Sequence, residues 1–429
     1  MKRLYFTVLS LACCLMAGAQ NKVYVCDGYD QEGVQVEAGT AFKYSSDGTQ
    51  VTIGQETFDI ADIDSITFSE PQFEAVKVTW TESGAKVDIP STITGVTATV
   101  NGGHVKVTST NTTKELLYVL EGTSSKGSFN LYGTYKLRIH LNGVSLTNPD
   151  SAAMNIQCGK RVEVKLMKGT VNTFADGTNG KQKAAFYTKG HLEIKGKGTL
   201  NVTGNTKHAL CAKEYLQFKA STGEVNILGA VNDGIHCGEG DKADYENLRF
   251  IMNGGTVNIS GCQKDCIDSD DYGSAYINGG TINLNITQKD GSGVVVDSLF
   301  YMNGGEININ NSGTICQGIK FCYNGYFNGG TIKGTMSGEG TKGIKAKKVT
   351  AITGTVKNGG NAFFNGTNVE FVLNSGTYTV DSTKCGGLRI DNNLTQTDGD
   401  IHITVKNSDA VAIEVKGTDT KTGGTRTID

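Results

Sequence analysis

Between residues 250 and 333, apolar and polar side chains alternate in short runs that keep returning in nearly the same form. "FIMNGGTVNIS" is followed by "YINGGTINLN", "YMNGGEININ" and "YFNGGTIKG". Their first asparagines, Asn253, Asn278, Asn303 and Asn328, are evenly spaced. Alternation of β-branched with polar residues predicts half-buried strands. A fixed period of this size predicts a solenoid, in which strands stack coil upon coil. "NGG" is then a corner, because Asn and Gly tolerate left-handed backbone. The four asparagines are expected to form a ladder, each amide bonding to the next coil. A phosphate-binding loop is the competing reading. It is weak, since no helical pattern follows and no Lys-Ser or Lys-Thr pair completes the motif.

Weaker copies of the corner extend the count. Taking Gly143, Gly169, Gly198, Gly223, Gly255, Gly280, Gly305, Gly330, Gly354, Gly376 and Gly399 as anchors gives eleven coils of slightly unequal length. The longest gap, from Gly223 to Gly255, contains a polar insertion, "EGDKADYEN". Each coil carries a second apolar strand, whose inward residues are Leu210, Ile235, Ile267, Val294, Ile319, Ile344 and Leu388. Equivalent strands should pair in parallel about 4.8 Å apart, with right-handed crossovers. The predicted fold is therefore all-β: a right-handed parallel β-helix of about eleven coils over residues 136–429, the coils ending near residue 416. Residues 1–19 read as a signal peptide and 20–70 as a small β domain. Residues 71–135 read as an irregular β region that includes the N-terminal cap an open stack requires.

Composition supports this outline. The 429 residues include 57 Gly and only 3 Pro, which suits many short strands. A formal charge of −3, with no basic stripe, argues against a nucleic-acid partner. The N-terminus has a charged start, "MKR", an apolar run and the small-residue site Ala17-Gly18-Ala19. No later segment is apolar for long enough to span a bilayer. Export is expected, to the cell envelope or beyond it. Cys13 and Cys14 raise a lipoprotein alternative, but the residues before them fit a lipid-attachment box poorly. Nine Cys follow the leader, an odd number. Cys262 and Cys266 could bridge a loop, although burial as small hydrophobes suits the cysteines better, Cys237 falling on an inward parity.

Stacking turns sequence period into ladders of functional groups. "QKDC" at 263–266 and "QKDG" at 288–291 lie one such period apart, which predicts Lys264 near Lys289 and Asp265 near Asp290. Asp233, in "NDGI", takes the place of Asp265 one coil earlier. Carboxylates about 5 Å apart repel one another unless a cation sits among them. Ca²⁺ suits such a set, because it takes six to eight oxygen ligands. Asp270 is expected to stack on Asp297, with Asp268 and Asp271 nearby. The candidate metal ligands are thus Asp233, Asp265, Asp268, Asp270 and Asp290, and a solvated acidic turn is the alternative. Outward of the inward residues runs a column of Cys211, His236, Asp268, Val295, Lys320, Lys345 and Arg389. Lys264, Lys289, Lys320, Lys345 and His236 are candidates to hold an anionic polymer running along the solenoid, against ordinary surface charge. The one Trp, Trp80, gives little support for stacking on neutral sugars. A base for proton abstraction could be Lys264, Lys289 or Arg249, but the residues assign no catalytic group. There is no Ser-His-Asp pattern and no Cys/His zinc spacing.

The phrases "VEVKLMKGTVNTFADG", "AAFYTKGHLEIKGKGTLNVTGNTKHALCAKEYLQF", "VNDGIHCG" and "MNGGTVNISGCQKDCIDSDDYGSAYINGGTINL", in this order, resemble the secreted bacterial carbohydrate-binding β-helix proteins that are structurally similar to pectate lyases. The resemblance covers roughly residues 95–350. It implies a right-handed parallel β-helix, bound calcium, and binding of acidic polysaccharides such as polygalacturonate, with cellulose also proposed. Lyase activity is not an established property of that family. The family's "DDGI" phrase falls on Asn232, Asp233, Gly234 and Ile235, so its first Asp is Asn here. A second such phrase falls on Lys264, Asp265, Cys266 and Ile267, where Lys replaces an acid and Cys replaces Gly. The resemblance therefore does not fix the number of calcium ions. "DIADIDSITF" also looks like an N-terminal piece common in exported proteins of gut-type bacteria. The expected function is an exported, calcium-dependent, non-catalytic carbohydrate-binding protein for acidic polysaccharides. The alternatives are a calcium-dependent pectate lyase and a surface adhesin or scaffold without a sugar site.

Overall fold

A computed structural model of the chain describes residues 22–27, 30–36, 41–60, 63, 65–67, 73–238, 248–270, 272–348, 351–352, 355–356 and 359–429. The leader, Asp271 and the insertion at 239–247 lie outside them. Among the described residues the regular elements are strands, and no helix is long and apolar enough to cross a membrane.

The chain divides into two compact units, Met1–Glu74 and Ala75–Asp429. The first contains two antiparallel three-stranded sheets, in which Lys22–Asp27 pairs with both Asp30–Gln35 and Ser65–Thr67, and Gln50–Ile53 pairs with both Phe42–Tyr44 and Glu56–Asp59. Val23, Val25, Val34, Val51 and Ile53 form its core.

The second unit is a parallel β-helix. Each coil gives one strand to each of three columns. The first column forms a sheet of 13 strands, and the other two join into a sheet of 24. In the first column His208–Ala212, Ile235–Cys237, Ile267–Ser269, Ser292–Val296, Gln317–Phe321, Lys342–Ala346 and Gly386–Ile390 pair in succession, all parallel. Leu210, Ile235, Ile267, Val294, Ile319, Ile344 and Leu388 fall in register and are buried, as expected. Each such side chain stabilises the fold by about 1.5–3 kcal/mol on burial. Like residues stack on like, which is why the sequence repeats.

The corners hold as well. Gly255, Gly280, Gly305 and Gly330 have φ of 82°, 81°, 77° and 79°. A Cβ on Gly305 or Gly330 would meet a backbone oxygen of the preceding coil at 2.6 Å, so both conformation and space demand glycine. The predicted ladder exists: Asn278 donates to Asn253, Asn303 to Asn278, and Asn328 to Asn303, at 2.8, 2.8 and 2.9 Å. A second ladder runs through Asn201, Asn226, Asn258, Asn283 and Asn308.

Two features of the coil count differ from expectation. Gly354 lies outside the described residues, and Gly376 is not a corner anchor. Thr331–Met336 pairs instead with Asn368–Leu373, then comes Asp400–Val405, then Thr425–Ile428. The corners after Gly330 are therefore Thr367, Gly399 and Gly424. At the first of them the Thr367 hydroxyl accepts from Gly329 N at 3.1 Å and donates to Gly329 O at 2.8 Å, replacing the second glycine of the corner while Gly366 keeps the first. The stack also begins before residue 136. Leu116–Ser124 pairs in parallel with both Ala75–Thr81 and Leu137–Asn148, and Gly103–Ser109 with Gly127–Tyr132. The antiparallel hairpins Ala75–Thr81/Gly84–Asp88 and Val96–Asn101/Gly103–Ser109 accompany these first turns. Trp80 is buried there, donating to Gly103 O at 2.7 Å. It is a core residue and presents no face to a sugar.

Candidate metal and carbohydrate site

The strands Ile235–Cys237 and Ile267–Ser269 are very short, so their flanking carboxylates sit at turns rather than inside a ladder. Register places His236 on Asp268, and the Asp265 backbone amide donates to Asp233 Oδ1 at 3.3 Å. Carboxylate oxygens of Asp233, Asp265 and Asp268 all lie within 4.8 Å of one another. Asp233 is fully buried, and Asp265 and Asp268 are 6% and 8% exposed.

Their titration shows what this crowding does. Burial, with the charges of Asp233 and Asp268, pushes the Asp265 carboxyl up to about 6, although Lys264 and Lys320 pull it back. Burial also acts to raise Asp233, but the His208 and His236 imidazoles, each 3.2 Å from its Oδ2, with the charge of Lys264, hold it well below the usual carboxylate range. Lys264 reaches into the cluster, its Nζ 3.8, 3.5 and 3.9 Å from Asp233, Asp265 and Asp268. Burial works against its charge, but the three carboxylates prevail and raise its pKa. It is protonated at neutral pH and therefore a poor base. Arg249 sits 5.5 Å over the Tyr276 ring, in another strand column.

Two expected members are elsewhere. Ile267 pairs with Val294, beyond the regular period, and Cys266 N donates to Ser292 O. Ser292, rather than Asp290, therefore follows Asp265. "QKDGSGV" carries two residues more than "QKDCI" before the inward position, which breaks the match locally. Asp290 takes φ 61° at the turn, and Lys289 leaves the cluster to donate to the Tyr378 hydroxyl at 3.3 Å. Asp270 lies beside His236, with Oδ2 3.8 Å from Nε2, and Asp297 feels the charges of both Asp268 and Asp270.

The outward column is in register throughout: Cys211, His236, Asp268, Val295, Lys320, Lys345, Arg389. Its basic end is not uniform. Arg389 is paired with Asp391 at 3.3 Å and with Glu414. Lys320 and Lys345 have no ion-pair partner among the described residues. Burial, and then the charge of Lys320, lowers the Lys345 pKa. One residue of the site escaped the sequence reading. His208 stands two residues before Leu210, as Asp233 does before Ile235 and Asp265 before Ile267. It is fully buried, and its ring stacks on His236 at 4.2 Å. The inward residues already carried that signal. Cys237, Cys262 and Cys266 are buried thiols, in keeping with the packing role expected of them.

Calcium fits the carboxylates. Asp233, Asp265 and Asp268 would hold it, the remaining oxygens coming from water and backbone, while Asp270 groups with His236 and Asp268. The ion would supply positive charge that this cluster otherwise takes from Lys264 and the more distant Lys320.

Comparison with known proteins adds a family. The sequence profile of the family described as "Carbohydrate-binding domain-containing protein" matches residues 101–362, more than half of the chain. A protein of that description from Acetivibrio thermocellus is 26% identical over 138 residues, covering 30% of this chain and 48% of that protein. The chain thus spans about half the length of the curated relative it matches. Among solved structures, a polysaccharide lyase-like protein from C. thermocellum, a gadolinium derivative, aligns over 70% of this chain and 96% of its own, with 18% identity and a TM-score of 0.43.

Proposed function

Because the chain belongs to the family of carbohydrate-binding domain-containing proteins, we propose that it is an exported, non-catalytic protein that binds acidic polysaccharides through calcium. One observation carries the reading. Three buried carboxylates converge within 4.8 Å, and the one ammonium among them belongs to a half-exposed Lys264. On the same outward column, Lys320 and Lys345 stand two and three coils beyond Asp268, about 10 and 14 Å along the axis. A polyuronate lying along this face would meet calcium first and then two ammonium groups with no acid at ion-pair distance among the described residues. Neutral polymers gain nothing from such a line of charge.

The lyase alternative asks for a neutral base beside the metal. Lys264 is the nearest amine and is held protonated, which speaks against it. The test is equilibrium binding of polygalacturonate to the purified chain, with calcium and with chelator, while ultraviolet absorbance tracks unsaturated ends. Binding that disappears with chelator, without new absorbance, supports the proposal. Binding indifferent to calcium and to Lys320→Ala would sink it, and absorbance growing with time would favour the lyase.

A further inference from the structure

We propose that His208, Asp233 and His236 form a binding site for a divalent transition-metal ion of the zinc class, built on two successive coils beside the carboxylate cluster. The inference goes beyond the calcium reading and shares only Asp233 with it. A donor atom from each of the three residues lies within 4.8 Å of the others. His208 Nδ1 and His236 Nδ1 each approach Asp233 Oδ2 at 3.2 Å. Ligands about 2.1 Å from a tetrahedral zinc ion stand about 3.4 Å apart, so little movement is needed to admit one.

Donor chemistry separates this site from its neighbour. Calcium selects oxygen, whereas imidazole nitrogen suits zinc and its neighbours in the first transition row. His208 is the second, independent indication. It is fully buried. Its Nε2 has no hydrogen-bond partner among the described residues, and its Nδ1 meets Asp233 without the alignment of a hydrogen bond. Leaving a buried imidazole so poorly satisfied is costly, and an ion on Nδ1 would engage it. His236 is oriented in the way metal-binding histidines commonly are. Its Nδ1 faces Asp233 Oδ2 at 3.2 Å, and its Nε2 faces the outer Asp270 carboxylate at 3.8 Å, so a metal that displaces the Nδ1 proton would leave Nε2 turned toward a carboxylate. The ladder explains why no linear motif announces the site. His208 and Asp233 are separated by a full coil of sequence, yet stand on adjacent coils in space.

The probes are Zn²⁺, read as a shift in melting temperature of the full chain, and Co²⁺, read by its visible absorption. Zn²⁺ should raise the melting temperature, and Co²⁺ should show a four- or five-coordinate spectrum with nitrogen and oxygen ligands. Losing an outer-sphere partner costs 10–100-fold in affinity, so His208→Ala, which removes a ligand, should weaken Zn²⁺ binding by about 100-fold or more. The calcium-induced shift should persist in that variant. Asp265→Asn should do the converse, losing the calcium shift and keeping the zinc shift, so the two readings fail separately. If His208→Ala does not fold, His236→Ala is read for zinc in its place. No zinc effect on the parent chain, an undiminished effect in both histidine variants, or a thiolate charge-transfer band pointing to the buried cysteines would overturn the proposal.

Discussion

Two buried carboxylates in this solenoid, Glu193 and Asp265, each one coil from another carboxylate, titrate in opposite directions. Glu163 and Glu193 stand one coil apart in register on the second strand column, and Glu193 is 7% exposed. Asp233 and Asp265 stand one coil apart at the edge of the first column, and Asp265 is 6% exposed. Burial acts to raise Glu193, yet the Tyr215 hydroxyl, Lys219 and Arg161 hold its pKa below the ordinary value. Asp265 is pushed up to about 6. The difference lies in the cations. The glutamates receive Arg138, Arg161, Lys195 and Lys219, at 3.1 to 3.7 Å. Among the described residues Asp265 has within 4 Å a single lysine whose side chain is 52% exposed, and the two imidazoles nearby turn to Asp233 instead. One ladder is neutralised by its own cations, and the other gathers more carboxylates than nearby lysines, the imbalance on which the calcium proposal rests.

The largest effect should come from breaking the complete ladder. Glu163→Ala strips Arg138, Arg161 and Lys195 of a shared partner and leaves their charges half-buried. It should cost about 3 kcal/mol, seen as a lower urea midpoint with an unchanged slope. A variant as stable as the parent would show that these bridges merely decorate the surface. The matching change at the aspartates should carry the opposite sign. Without calcium, Asp265→Asn should be at least as stable as the parent, because it removes a charge that the folded chain holds reluctantly. With calcium at a hundredfold excess over its dissociation constant, the parent should gain about 2.7 kcal/mol that the variant lacks. Thermal melts with calcium and with chelator measure both. If the two proteins respond alike, the cluster is a solvated turn.

This contrast was only partly visible in the sequence. The regular period showed through because every "NGG" corner requires its glycine, and the inward Ile and Val residues followed from it. The later coils were misread because "TGTV" and "SGTYTV" imitate a corner locally, whereas the true corner uses Thr367 and closes through its hydroxyl. Asp265 and Asp268 could be read from strand register. Asp290 could not, because two extra residues shift Ser292 into its place, and the eye follows the repeated "QKD" instead. Charge compensation is not periodic at all. That Arg389 is neutralised and Lys345 is not depends on Glu414, one coil further on, which pairs only with the first.

The column of Asp233 and Asp265 continues through Ser292 and Gln317 to Lys342, where the imbalance reverses. Burial lowers the Lys342 pKa from 10.5 to about 8, and the charges of Arg389 and Lys345 add to it. The folded value lies below the unfolded one. The cost of burying the charge is therefore fully present below pH 8 and is relieved as pH rises to 10.5. Stability should gain with pH across that window, in excess of a Lys342→Met variant. The variant should be the more stable at pH 7, by on the order of 2 kcal/mol. Melting temperatures of both proteins at pH 7 and pH 10 test this, and parallel behaviour would show that the lysine finds water.

The smallest change sharpens the comparison most, because it concerns the one cation the acidic ladder has. The Lys264 ammonium lies within 3.9 Å of all three carboxylates, the place the proposed calcium ion would take. It therefore competes with the ion rather than assisting it. Its side chain is half exposed, so the competition is screened, and an exposed pair of this kind is worth about 0.2–1 kcal/mol. Lys264→Gln should accordingly tighten calcium binding by about threefold, as titration calorimetry at low ionic strength would show. The advantage should shrink with added salt, since screening already weakens the ammonium in the parent. The same variant should lose stability in chelator, because three carboxylates then face one another with no cation between them. Weaker calcium binding in Lys264→Gln would mean that the lysine positions the carboxylates for the ion, and the account of it as a tethered competitor would fall.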